Sequence, residues 1–204
     1  QQISAGFIYT KKGVSIDVDT YYKKVKNITA LSLGFLNPEN NNFNIGHQNV
    51  IGIDAFFQKQ FNSFNSWVSY SFNNATSSFE NLNNGNNFTS KSNVTHSVST
   101  AISYKLDGFQ FALGWKWQTG KPYTISEESS NGLEFNDGIN TGELPIYQRL
   151  DFSSTYDFTI AKGNKLRGKV GLSIRNIYNR KNIISKEYRG NNSLNDPIEL
   201  IEKF

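Results

Sequence analysis

Short turns and long polar stretches alternate strictly along this chain, and the intervals between them carry period-2 patterns of about ten residues. The short turns are Lys11-Lys12-Gly13, residues 61–65, Asp107-Gly108 and residues 161–165. The long stretches are 25–47, 73–93, 119–147 and 177 to the end. Antiparallel strands joined in this order put every tight turn at one end of a sheet and every large loop at the other. Transmembrane β-barrels of the outer-membrane type are built this way, with tight turns in the periplasm and large loops outside. A soluble sandwich has no physical reason to sort its loops by length.

The alternation predicts eight antiparallel strands, at 3–10, 14–24, 48–60, 64–74, 94–106, 109–119, 148–160 and 165–178, each paired with its neighbour in sequence. One face of the last of these carries Leu166, Gly168, Val170, Leu172 and Ile174. Its other face carries Arg167, Lys169, Gly171, Ser173 and Arg175. Leu150, Phe152, Tyr156 and Phe158 similarly oppose Arg149, Asp151, Ser153 and Asp157, and Leu113 and Ile102 belong to the apolar set. Soluble strands average about five or six residues, half the length seen here. Charges such as Lys116, Asp151 and Lys169 stand in mid-strand, which suits a hydrated lumen. Phe109 and Phe111 near a tight turn, and Trp115 and Trp117 near a long loop, fit aromatic girdles at two membrane interfaces.

Composition bounds the alternatives. A mean hydropathy of −0.52 does not oppose a membrane wall, because only alternate residues meet lipid. No apolar run is long enough for a transmembrane helix. With 0 Cys, disulfide frameworks and thiolate metal sites are excluded. The net charge of +4 is dispersed, so a nucleic acid partner is not expected. Gln1-Gln2-Ile3 enters strand pattern almost at once, without a basic or apolar leader, and residues 1–204 are therefore expected to be a piece of a longer polypeptide.

Three segments resemble TonB-dependent outer-membrane receptors. Trp117-Gln118-Thr119-Gly120-Lys121-Pro122-Tyr123-Thr124 is similar to their W-x-x-G-x-P-Y/F-T stretch. Leu144-Pro145-Ile146-Tyr147-Gln148-Arg149-Leu150-Asp151 resembles the L-P-x-Y-x-R-L-D entry into a late strand. Asn176-Ile177-Tyr178-Asn179-Arg180-Lys181-Asn182 resembles the N-x-Y/F-N-R/K-x-N end of the penultimate strand, and Gly52-Ile53-Asp54 and Gln58-Lys59-Gln60-Phe61 look like mid-barrel strands. The resemblance implies a barrel of about 22 strands, of which this chain is an open arc from the C-terminal part. It further implies a Gram-negative outer-membrane location, with membrane lipid, an N-terminal plug and the remaining strands of the same protein as partners. The TonB complex would act through an N-terminal segment. No plug pattern is present, and residues 191–204 show no ten-residue alternation, so the final strand is expected to be missing.

The implied function is active import of a scarce ligand: a siderophore–iron complex, a vitamin, a glycan or a peptide. Two other readings accommodate the alternation, a passive eight-stranded barrel with a structural or adhesion role and a soluble carbohydrate-binding sandwich. Closure separates the first, because a small barrel must pair its outermost strands. A shared core under Leu113 and Leu172 would mark the second. Catalytic, metal and cofactor residues are not expected, and no ligand-binding residue can be named. His47 and His96 are distant in sequence and His96 falls on the apolar face. Asp17 and Asp19 read as lumen-lining, and Glu127-Glu128 is an ordinary loop pair. Asp157 is expected near Arg167 or Lys169, and Asp151 toward Arg175, as charge ladders. The Asn-rich runs at 40–44, 81–87 and 191–192 read as solvated loops able to meet polar ligands.

Overall fold

A computed structural model describes residues 1–31, 43–80, 82–125, 127–129, 132–134, 138–160, 166–187 and 198–202. Eight strands form one antiparallel meander: β1 (Gln2–Lys11), β2 (Val14–Leu31), β3 (Phe43–Phe61), β4 (Phe64–Phe79), β5 (His96–Leu106), β6 (Phe109–Gln118), β7 (Tyr147–Thr159) and β8 (Arg167–Ile174). Each pairs with its neighbour in sequence, as the turn spacing requires. Lys12-Gly13 and Asp107-Gly108 both take positive φ at two successive residues, the geometry that matches a two-residue turn to the twist of its strands. The turn expected at 161–165 lies outside the described residues, and Ile160 N–H donates to the Leu166 carbonyl at its edge.

The register keeps one chemistry on each face across the whole sheet. Phe7 lies opposite Val18, Val18 opposite Ala55, Ala55 opposite Tyr70, and Tyr70 opposite Val98. Farther along, Ile102 faces Leu113, Leu113 faces Phe152, and Phe152 faces Ile174. A slip of one residue anywhere would turn a strand's apolar set to the other face, so period 2 and the tight turns together define this alignment. Among the described residues nothing covers the apolar face. Leu113 is 46% exposed and Leu172 63%, and the buried apolar side chains among the described residues are Ala75, Phe79 and Leu144. An uncovered apolar face of this size belongs against lipid, and the described residues form no two-sheet core of a sandwich.

At the tight-turn end, Phe109, Phe111, Tyr156 and Phe158 form a run of neighbouring rings, with Phe109 and Tyr156 4.4 Å apart between centroids. This is one of the two expected aromatic bands. β1 and β8 stand at opposite ends of the strand order and do not pair, so the sheet is an open arc and the small closed barrel is ruled out.

Four boundaries differ from the sequence reading. β2 reaches Leu31, and β3 begins at Phe43 where a loop to 47 was expected. β4 runs on to Phe79. These extensions carry no sustained hydrophobic alternation, only short pieces such as Phe43 and Ile45 on β3, but Gly46 opposite Phe79 and Thr29 opposite Ile45 continue the backbone ladders, so pairing outlasts the main apolar band. β8 stops at Ile174 rather than 178, because Asn176 takes φ 53° and leaves the strand. The stretch from 177 onward also contains a separate hairpin, β9 (Asn182–Glu187) with β10 (Ile198–Glu202), interrupted by a bulge between Ile183 and Ser185.

Candidate functional site

The polar face is the part of the sheet with chemistry on it, and it divides into two regions. On β2 and β3, Asp17 and Asp19 share this face, as the sequence reading placed them, and Asp19 lies directly opposite Asp54. Asp17 lies opposite Phe56, whose ring stacks on Trp67 at 6.1 Å on the same face. Trp67 is an aromatic residue on the polar side of β4, opposite Gln58. Its partner Phe56 does not stand out in the sequence, because it sits between Ala55 and Phe57 in an apolar run.

The second region lies at the loop end of β6 and β7. Arg149 Nε donates to Asp151 Oδ2 at 3.0 Å and its Nη1 donates to Glu202 Oε1 at 3.1 Å, with Tyr147 Oη also within 3.3 Å. Lys116, opposite Arg149, holds its ammonium 5.8 Å from the centre of the Tyr147 ring. A cavity of about 330 Å³ opens beside them, lined by Lys116, Gln118, Lys121, Tyr147, Ile183 and Glu202 among others. Charged donors, an aromatic ring and carboxylates converge there, suiting reversible binding of a polar molecule. Glu202 was not legible in the sequence as a member, since it comes from β10, 53 residues away from Arg149.

The resembling segments build the frame of this region. Leu144 is buried, and its N–H donates to the Lys121 carbonyl at 3.0 Å. Gly120 lies so close to the Leu144 carbonyl that a Cβ there would collide with it, so Gly120 serves close approach as well as ending β6. Beyond it Pro122–Tyr123 pairs with Gly142–Glu143, carrying the ladder out into the loop. Asn176–Asn182 has a different task. β7 extends past the last pair with β8, Phe152 opposite Ile174, and would leave backbone groups at its edge open. Ile177 N–H donates to the Leu150 carbonyl at 2.8 Å. Asn182 Oδ1 accepts from Gln148 N–H at 3.1 Å, while its Nδ2 donates to the Gln148 carbonyl at 3.0 Å. Arg180 Nη2 donates to the Ile146 carbonyl at 3.2 Å. Asn176 holds the turn by bonding both the N–H and the carbonyl of Arg180.

The expected ladders are partly present. Lys169 and Asp157 pair at 3.2 Å, with both side chains largely exposed, so solvent screens the pair. Asp151 stands one residue beyond the β7–β8 ladder, and its carboxylate holds Arg149 and the Asn176 N–H, the latter at 2.9 Å.

The remaining candidates have structural places. His96 lies between Tyr70 and Phe72 on the apolar face, with its Nδ1 2.9 Å from Tyr70 Oη. His47 lies far from it, opposite Lys26 and Ser78. Glu127 and Glu128 fall in a small ladder with Gly132–Glu134. Asn191 and Asn192 lie outside the described residues. Seven of the nine non-glycine residues with positive φ among the described ones are asparagines, so these seven serve backbone geometry.

A family model for the TonB dependent receptor-like β-barrel matches residues 1–177. No curated protein matches the chain. The matched span contains all eight strands of the arc, with its lipid-type face, its polar face and its sorted turns, and the chain belongs to the TonB-dependent receptor-like β-barrel family.

Proposed function

We propose that this wall belongs to a receptor that actively imports a scarce ligand across the outer membrane of a Gram-negative cell. The family is one of outer-membrane receptors that transport ligands. The finer reading adds an N-terminal plug in the lumen and energy from the TonB complex, delivered through an N-terminal segment of the same protein. The observation that carries it is the division of the sheet: an uncovered apolar face on one side and, on the other, Asp17, Asp19 and Asp54 in mid-wall, with Lys116, Arg149 and Asp151 toward the loop end. Charges at that depth need a wide hydrated interior, larger than eight strands enclose. The cavity beside Lys116 and Tyr147 opens at the loop end, where an incoming siderophore–iron complex, vitamin, glycan or peptide would first meet the wall.

Uptake by the full-length receptor in its own host tests the reading. Labelled ferric siderophores, corrinoids, oligosaccharides and oligopeptides are supplied to wild-type cells, to cells lacking the receptor and to cells lacking TonB. Active import predicts that uptake of one class is lost in both deficient strains. Entry that depends on the receptor, persists without TonB and rises linearly with concentration would make the protein a passive pore.

A further inference from the structure

The apolar face changes chemistry abruptly on three adjacent strands. On β2 it reads Val14, Ile16, Val18, Thr20, Tyr22 and then Lys24 and Lys26. On β3 the same face passes from Ile53 and Ile51 to Asn49 and His47, and on β4 from Phe72 to Asn74, Thr76 and Ser78. The change falls at nearly one height, because Lys24 lies opposite Asn49 and Lys26 opposite His47, while Asn49 and His47 lie opposite Thr76 and Ser78. Tyr22 marks the border: its ring is in the apolar ladder and its hydroxyl donates to Asn49 Oδ1 at 3.1 Å, the posture of an interfacial tyrosine. Above it Asn27, with φ 58°, interrupts the β2–β3 register between Lys26 and Ile28, and such a bulge bends and re-aims the strand. A cavity of about 410 Å³ opens at this point, lined by Lys24, Lys26, His47, Ser78 and Glu80 among others. Among the described residues neither ammonium has an ion-pair partner, and the two share the cavity lining with one carboxylate, that of Glu80.

We propose that Lys24, Lys26 and His47 form an outward-facing site for the phosphorylated headgroup of a glycolipid in the outer leaflet. The inference rests on the outer-membrane reading with the long loops outside. The cluster continues the lipid-facing ladder just beyond its apolar end, so whatever it binds stands at headgroup height with its acyl chains along Val18, Tyr22 and Ile51. A soluble ligand bound for the lumen would meet the opposite face. Phosphate is the matching group, since it accepts from both lysines and from an imidazole N–H, and an ammonium pair at a membrane surface attracts anionic headgroups.

Lys23 supplies the control. It is adjacent in sequence, lies opposite Gln2 and Val50, and belongs to the polar face. The full-length receptor is first fractionated to establish that it reaches the outer membrane. It is then purified in detergent and titrated with bisphosphorylated lipid A, phosphatase-treated lipid A and inorganic phosphate, and bound lipid is counted by native mass spectrometry. Wild type and K23E should retain bisphosphorylated lipid A, and K24E/K26E should bind it at least about tenfold more weakly. Retention of dephosphorylated lipid to the same extent, equal loss in K23E, or displacement of the lipid by millimolar inorganic phosphate would each overturn the assignment. A receptor that reaches the outer membrane but retains no phosphorylated lipid removes this inference alone, whereas failure to reach that membrane removes the reading beneath it.

Discussion

Leu172 and Ser173 are neighbours in sequence and inhabit different solvents. Leu172 is in the apolar ladder, opposite Ser154 and 63% exposed, and Ser173 is in the polar ladder opposite Ser153. Leu172→Arg in the inserted full-length receptor should cost about 2–4 kcal/mol in reversible unfolding from bilayers, while Ser173→Arg should be much milder. The opposite ranking would mean that the faces are assigned the wrong way round. The facing was legible because it depends only on residues two apart. Phe56 was harder, since period 2 places it on the polar face while its side chain gives no sign of belonging there. Its ring is accommodated by stacking on Trp67, a contact between strands that no single strand reveals.

At the scale of elements, the resembling segments turn out to complete ladders where strands of unequal length leave backbone exposed. β7 needs partners for Gln148 and Leu150 beyond the end of β8, and Asn182 and Ile177 provide them. Losing a hydrogen-bond partner at a part-buried amide costs about 1–3 kcal/mol. Asn182→Ala should therefore speed amide exchange at Gln148 in the full receptor and leave Leu113, in the centre of the neighbouring strand, unchanged. Unaltered exchange at Gln148 would remove Asn182 from this role. The motif was visible in the sequence, but its task was not, because the β7 edge it serves is 34 residues away.

For the whole molecule, the decisive property is the sorting of connections to two ends. Residues 1–204 have 0 Cys, so a cysteine introduced here is the one thiol of this segment, and the unsubstituted full receptor gives the labelling background. Thr141→Cys lies in the long connection between β6 and β7, and Lys12→Cys in the tight turn between β1 and β2. A membrane-impermeant maleimide should label the first in intact cells and the second only after the outer membrane is disrupted. The reverse pattern would invert the orientation and set the Lys24 cluster on the periplasmic leaflet. The open arc has a consequence at this scale too. The outward edges of β1 and β8 carry backbone groups that lipid cannot satisfy, so a spanning wall needs further strands beside them.

The sequence by itself determined the strand order, the face of each residue and the fold class, because alternation and tight turns are local and a one-residue slip would put the wrong face to lipid. It did not determine where β2, β3 and β4 end. Above the apolar band no hydrophobic penalty marks a boundary, and the ends depend on whether two polar segments pair with each other or with water. Nor could it bring Glu202 to Arg149. That contact joins a hairpin after the last wall strand to the loop end of β7, and only the folded backbone, with Asn182 bonded to Gln148, carries the two charges within reach.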